Sequence, residues 1–538
     1  MLLALLVLFA VAEGLRRTRR RLRALAPTLG PSLRRMRGDF ARWLRRVAWW
    51  EWAALAGAIL LAIAVRARDL DQPIRYDEAA TWLDYASRPL GEALADYRFP
   101  NNHLFHTLLV HLSAGIFGSD PWGLRLPAFV AGVLLVPLTW MLGRALAGGG
   151  AGIVAAALVA ASATLALYST NARGYTILGC LTVALALLAA YQRRHDEPAG
   201  WLLMAVVTAL GAWTIPTMLY PALGIALWTP VAAGGEAGRL DRGTTRARLG
   251  WTALAALAMT ALLYLPVVAR SGLGLVVGNR FVRPQSRRSF FAALPDFFSA
   301  VAEDWTRGWP LWVALVAGAA ALAGMIAPRR GRGVRAAPAP LGPALLAAAA
   351  LLLVTGRIPY VRVWMYLIPL AAVAAGAGMG AIAARLVGPA RAQVTAGAAG
   401  VACALVAAAG VVTSDVVRRA GDTGAMPAAA ALATRLAPVL APRDRIVASA
   451  PADLPLAYHL RRRRVAGLPL RALADSAQTI WVVVLDDPPQ HLDALVRGAE
   501  IVRRDFSPPR LVAHEGTARL FAMRRERPGC ILAPERCR

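Results

Sequence analysis

The sequence predicts a polytopic α-helical membrane protein of about eleven transmembrane helices, followed by a small extracytoplasmic α/β domain. Three observations predict it. The 538 residues are 57% hydrophobic and only 17% charged, with a mean hydropathy of +0.50. A water-soluble chain of this length needs far more polar surface, and a disordered one is never so apolar. Runs without charge, such as Leu341 to Val354, recur along the first three quarters, and a helix needs about 20 such residues to cross a hydrocarbon core of ~30 Å. Finally, the 60 basic residues are all Arg and leave a formal net charge of +29. In so apolar a chain that excess points to a membrane surface and not to nucleic acid.

In order, spans are expected near 48–66, 124–143, 151–170, 175–191, 200–214, 217–232, 251–268, 309–327, 341–356, 360–384 and 393–413. Runs such as Ala155 to Ala163 and Ala371 to Ala384 are small enough for helices to approach closely in a bundle. The segment 1–47 is an Arg-rich cytoplasmic tail. With it inside, the inner loops collect Arg16 to Arg46, Arg193 with Arg194, Arg239 to Arg248, Arg329 to Arg335, and Arg385 with Arg391, which is the positive-inside pattern of a cell (inner) membrane protein. That register requires the stretch 103–117 to be no span. It is short and carries His103, His106 and His111, so it is expected to lie at the outer surface within a long first external loop, 67–123. The run Met1 to Ala12 has its Arg cluster on the wrong side for a signal peptide; an interfacial helix and a true start at Met36 both remain open.

After Thr413 the pattern changes. Strand-like runs at Arg445 to Ser449, Ile480 to Leu485 and Arg519 to Met523 alternate with helical stretches near 427–440 and 489–497. Residues 414–538 therefore read as an outer α/β domain, and 48–413 as the membrane domain. Cys530 and Cys537 are the only cysteines outside the spans and could pair in an oxidising compartment. Cys180 and Cys403 read as small packing residues.

The polar residues at the outer boundary carry the functional signal, because charge at membrane depth is expensive. The first external loop opens with Arg75, Tyr76, Asp77 and Glu78. Two adjacent carboxylates there suit a general base or a divalent metal, although acids also favour a helix first turn. Phe99 to His106 follows, with Asn101, Asn102, His103 and His106 beside the membrane, a pattern that suits an anion or a packed surface helix equally. Tyr168 to Tyr175 fills the outer turn between the third and fourth spans, and Arg357 to Tyr366 opens the tenth. Arg173, Arg357 and Arg362 run against the positive-inside trend, and a guanidinium pairs well with phosphate.

In order and spacing these features resemble the GT-C superfamily of membrane glycosyltransferases, in particular bacterial relatives of the protein O-mannosyltransferases and the lipid A aminoarabinose transferase. The matching residues are Arg75-Tyr76-Asp77-Glu78, then Asn102-His103-Leu104 with the helix after it, Arg125-Leu126-Pro127, Ser169 to Tyr175, and Arg362 to Pro369. The chain departs from the pattern where many relatives have His-Pro-Pro, and it has no Lys to face a lipid phosphate.

The resemblance implies a GT-C-like fold and a glycosyltransferase that moves a sugar, with inversion, from a polyprenyl-phosphate-linked donor to an acceptor hydroxyl on the outer face. The acceptor could be a lipid, a glycan or a protein. By analogy Asp77 is the base, with Glu78 orienting the acceptor or joining Asp77 on a metal. Arg362 and Arg173 stabilise the departing phosphate, with His103 near it and Arg75 and Arg125 as second candidates. Tyr76, Tyr175 and Tyr366 line the sugar site or act as interface aromatics. The loop 269–308, with Arg280, Arg283, Arg287, Arg288, Asp296, Glu303 and Asp304, is either a closing loop or an amphipathic surface helix. A transporter for an anionic lipid-linked saccharide is the alternative, disfavoured because ionisable groups avoid the span centres and no repeat is visible.

Overall fold

The computed structural model describes residues 26–231, 241–278, 281–326, 339–465 and 477–526. The expected Met1 to Ala12 helix, the Arg329 to Arg335 cluster, Arg280 and the Cys530–Cys537 pair lie outside the described residues. The chain forms two compact units: Met1–Ala67, Ala128–Ser169 and Gly174–Val416 make the first, and Arg68–Pro127, Thr170–Arg173 and Val417–Arg538 the second.

The first unit is a multi-span helical bundle, with a helix at each of the eleven expected positions. Among the described residues six helices are long and apolar enough to cross a membrane: Trp49–Ala67, Pro121–Ala147, Tyr175–His195, Arg242–Ser271, Val361–Leu386 and Pro389–Ser414. One further pair, Gly149–Ala160 and Ala163–Ser169, is long and apolar enough only when the two are taken together, and is bent by 61°. Pro198–Thr214, Leu311–Ile326 and Leu341–Thr355 are apolar but shorter. The outer surface is apolar too. Leu254, Leu257, Leu262 and Leu265 are 55% to 70% exposed on one helix, an arrangement that suits lipid and not water. Inside, small residues set the spacing: a Cβ on Gly378 would lie 1.9 Å from the Ala320 carbonyl oxygen, and one on Gly376 would lie 2.2 Å from that of Ala151.

The Arg-rich segment before the first span is helical from residue 26 to 44. It is tied down by Arg35, whose guanidinium forks onto Glu197 at 2.8 and 2.9 Å, and by Asp39, which accepts from the Tyr191 hydroxyl at 2.7 Å.

In the second unit the segment after the first span folds into short helices, Tyr76–Ala80, Leu90–Ala95 and Leu104–Phe117, with a π-helical turn at Thr81–Ala86. Leu104–Phe117 has 14 residues and reaches roughly 21 Å; it is one of the shorter apolar helices, as are Pro198–Thr214 and Leu341–Thr355. The rest of the unit is built on a four-stranded sheet, β1 (Arg445–Val447), β2 (Thr479–Leu485), β3 (Arg510–Glu515) and β4 (Ala518–Arg524), in the order β1-β2-β4-β3. β1 and β2 are parallel, Ile446 opposite Trp481, and the other pairs are antiparallel. Alternation along β2 sends Val483 to one face, with Leu432, Leu436, Leu456 and Leu460 of two helices. Ile480, Val482 and Val484 go to the other, with Val496.

Strand β3 and the helix Asp453–Arg462 were not anticipated from the sequence. β3 is an edge strand with three exposed residues at its start, so it lacks an apolar alternation. The helix has Pro455 in its first turn and Arg461 and Arg462 in its last, which masks its short apolar face.

Candidate active site

Each unit holds its own set of the expected residues. In the second unit the acidic motif begins at Arg75, an extended residue that caps the helix Tyr76–Ala80. Glu78 turns back under it. Its carboxylate takes four donors: Arg125 Nε and Nη2, each at 2.7 Å, the Arg75 backbone N–H at 2.9 Å and the Ala172 backbone N–H at 2.8 Å. Glu78 and Arg125 are both fully buried. The remaining Arg125 donors go to the carbonyls of Leu70, Gln72 and Pro73 at 2.6, 2.7 and 3.1 Å, so all five are committed.

Arg75 is similarly occupied. Its guanidinium donates to Gln72 Oε1 at 3.0 Å, the Val417 carbonyl at 2.8 Å and the Ala420 carbonyl. These Arg75 and Arg125 donors meet protein oxygens, and the Glu78 carboxylate accepts four hydrogen bonds. Among the described residues no group of three His, Cys, Asp or Glu side chains could hold a metal ion.

Asp77 differs from its neighbour. Its backbone N–H donates to the Thr423 carbonyl at 3.3 Å and its carbonyl accepts from Thr81 Oγ1 at 2.9 Å. Its carboxylate is half-buried and makes no hydrogen bond or ion pair among the described residues. Tyr76 is held by its backbone N–H on the Gly424 carbonyl, 2.8 Å away. Its hydroxyl pKa is pushed up to about 12, first by burial and then by the negative charges of Asp453, Asp77 and Asp84. Burial also raises the Asp453 carboxyl, with Asp84 adding to it. Asp453 is thus part of the acidic surroundings of Tyr76, a role that sequence spacing did not reveal, since it lies in the distant sheet domain.

Arg173 and His103 come together. Arg173 Nη2 donates to His103 Nε2 at 3.1 Å and Nη1 to the Asn101 carbonyl at 2.8 Å. Because arginine has only donors, His103 Nε2 accepts and the ring proton sits on Nδ1. Asn102 shapes this turn, donating to the Ala93 and Asp96 carbonyls at 2.8 and 2.7 Å while accepting from Thr107 Oγ1 at 2.7 Å. His106, one turn on, is completely buried, and neither ring nitrogen has a hydrogen-bond partner among the described residues. Burial and the nearby Arg173 charge lower its pKa to about 3, so it is neutral.

In the first unit, Arg362 sits in a 3-10 turn, Val361–Tyr366. Its Nε donates to the Tyr175 hydroxyl at 3.0 Å, and its guanidinium lies 4.3 Å from the centre of the Tyr360 ring. Tyr175 in turn meets Tyr168 edge-on, ring centres 5.0 Å apart. Tyr366 is buried, its hydroxyl without a hydrogen-bond partner among the described residues. The helix Arg287–Trp305, capped by Ser286, occupies the loop 269–308, and its Phe297 packs 5.7 Å from Trp364.

A family model described as dolichyl-phosphate-mannose-protein mannosyltransferase matches residues 102–269. No curated protein matches the chain in sequence. Among solved structures, ArnT from Cupriavidus metallidurans in the apo state is 16% identical, covering 88% of this chain and 97% of that one, with a TM-score of 0.58. The same protein bound to undecaprenyl phosphate is 16% identical, covering 88% and 98%, again at 0.58. The oligosaccharyltransferase AglB from Archaeoglobus fulgidus, in complex with an inhibitory peptide and a dolichol-phosphate, is 13% identical over 81% of this chain and 69% of that one, at 0.47, too distant to argue from. The likeness to GT-C membrane glycosyltransferases thus holds in the family model and in an ArnT-like fold.

Proposed function

We propose that this protein is a glycosyltransferase that moves a sugar from a polyprenyl-phosphate-linked donor to an acceptor hydroxyl on the outer face of the cell (inner) membrane, with inversion and with Asp77 as base. One observation carries the assignment of the base: of two adjacent acids, Glu78 is saturated by four donors while the Asp77 carboxylate, half-buried, has no partner among the described residues. The fold supports the donor class, since ArnT of the same fold has been captured with undecaprenyl phosphate.

In this reading the acceptor hydroxyl gives its proton to the Asp77 carboxylate as its oxygen attacks the anomeric carbon. The bond from that carbon to the phosphate oxygen breaks on the opposite side, and polyprenyl phosphate leaves with the electron pair. Arg362 and Arg173 are assigned to the charge that develops on the phosphate, with His103 beside Arg173, because preoriented guanidinium groups stabilise such charge without reorganising. Tyr76, Tyr175 and Tyr366 are assigned to the sugar. The Glu78–Arg125 pair positions Asp77 without touching substrate. With the N-terminus cytoplasmic, the sheet domain is extracytoplasmic.

The test is transfer of labelled sugar from a panel of polyprenyl-phosphate donors by the purified protein in nanodiscs, read together with the envelope glycans of a deletion strain. Transfer from one donor and loss of one glycan are expected. Lipid translocation without transfer would replace this reading with the transporter.

A further inference from the structure

The bent helix pair carries a device outside the assigned site. Between Gly149–Ala160 and Ala163–Ser169 the chain bends by 61°, which strips the last carbonyls of the first half of their helical partners, a costly state at membrane depth. Arg66, at the end of the first span and fully buried, supplies the missing donors. Its Nη2 reaches the Val159 carbonyl at 3.1 Å and its Nη1 the carbonyls of Ala160 at 2.9 Å and Ala62 at 3.2 Å. The Trp309 indole takes the Ala161 carbonyl at 3.1 Å. The positive charge thus sits against the negative end of a helix, the favourable arrangement for a buried guanidinium.

The fourth bond reaches across the break. Arg66 Nε donates to Ser169 Oγ at 3.1 Å, and that hydroxyl donates on to the Leu165 carbonyl. Space for it is made by Gly132, where a Cβ would lie 1.9 Å from Ser169 Oγ. Ser169 follows Tyr168, whose ring abuts Tyr175, and the Tyr175 hydroxyl accepts from Arg362 Nε. We propose that Arg66 is a positioning residue that fixes the bend and, through Ser169, Tyr168 and Tyr175, aims Arg362 at the donor phosphate. The proposal rests on the assignment of Arg362 to that phosphate.

The experiment is a double-mutant cycle on the purified full chain in nanodiscs, with a short-chain polyprenyl phosphate as the probe and with KM and kcat for the sugar donor. Arg66→Gln and Ser169→Ala should each weaken binding about tenfold, chiefly in KM. Combined with Arg362→Ala, each should cost less than about twofold more, because residues that act through a third lose their effect when it is gone. Arg66→Lys should recover only part of the loss. Full additivity with Arg362→Ala, or unchanged affinity in folded Ser169→Ala, overturns the proposal. Ser169→Ala decides the matter alone if Arg66→Gln does not fold. An Arg362→Ala variant with normal affinity sinks the phosphate assignment and this proposal together. A deficient Arg362→Ala beside a normal Ser169→Ala sinks only the proposal.

Discussion

Glu78 and Arg125 meet through two contacts of 2.7 Å with neither side chain exposed. The pair ties down two segments, the Arg125 guanidinium donating to the carbonyls of Leu70 and Pro73 and the Glu78 carboxylate accepting from the Ala172 N–H. Removing one partner leaves a buried charge unpaired, so Glu78→Gln and Arg125→Met should each destabilise the protein by about 3–5 kcal/mol. Chemical denaturation in detergent checks this, and the double variant should lose much less than the sum.

Asp77→Asn removes the free carboxylate and keeps its size. Transfer should fall by roughly two to four orders of magnitude, while melting temperature and polyprenyl-phosphate binding stay unchanged. Near-normal turnover would take Asp77 out of the base role.

Arg362→Ala should weaken polyprenyl-phosphate binding by about tenfold or more, the typical loss of a charge-assisted contact. Tyr175→Phe, which removes the hydroxyl that accepts from Arg362 Nε, should cost less. Titration of the lipid phosphate into nanodisc-held protein distinguishes the two, and equal losses would argue against Arg362 as the direct contact.

His106 makes stability depend on pH. Its folded pKa of about 3 lies below the ordinary value of 6.5, so the unfolded chain binds the extra proton between those values. Its stabilising contribution is complete above pH 6.5 and fades as pH falls through that window, by up to ~1.4 kcal/mol per unit. Thermal melts of the protein and of His106→Gln between pH 7 and 4 should converge at the acid end; parallel curves would show that His106 is not the titrating group.

The helical bundle was legible because hydropathy is a local property, and each expected span position holds a helix. The acidic motif was legible as chemistry, but the division of labour inside it was not. Which acid is spent depends on Arg125, 47 residues away, and on the Ala172 N–H, 94 residues away. Arg66 looked like the ordinary end of a span, since nothing local to it announces a break near Ala160. β3 was hidden because an edge strand need not alternate.

The bonds from Arg75 and Tyr76 to residues 417–424 have a further consequence for inheritance. The Arg75 guanidinium and the Tyr76 N–H draw on Val417, Ala420 and Gly424, and Arg75 bridges Ala425. A gene fusion joining these spans to a foreign C-terminal domain at residue 414 would therefore strip the acidic motif of its support. The viable crossover point lies after Ala425, so the short segment before it must be passed on with the spans.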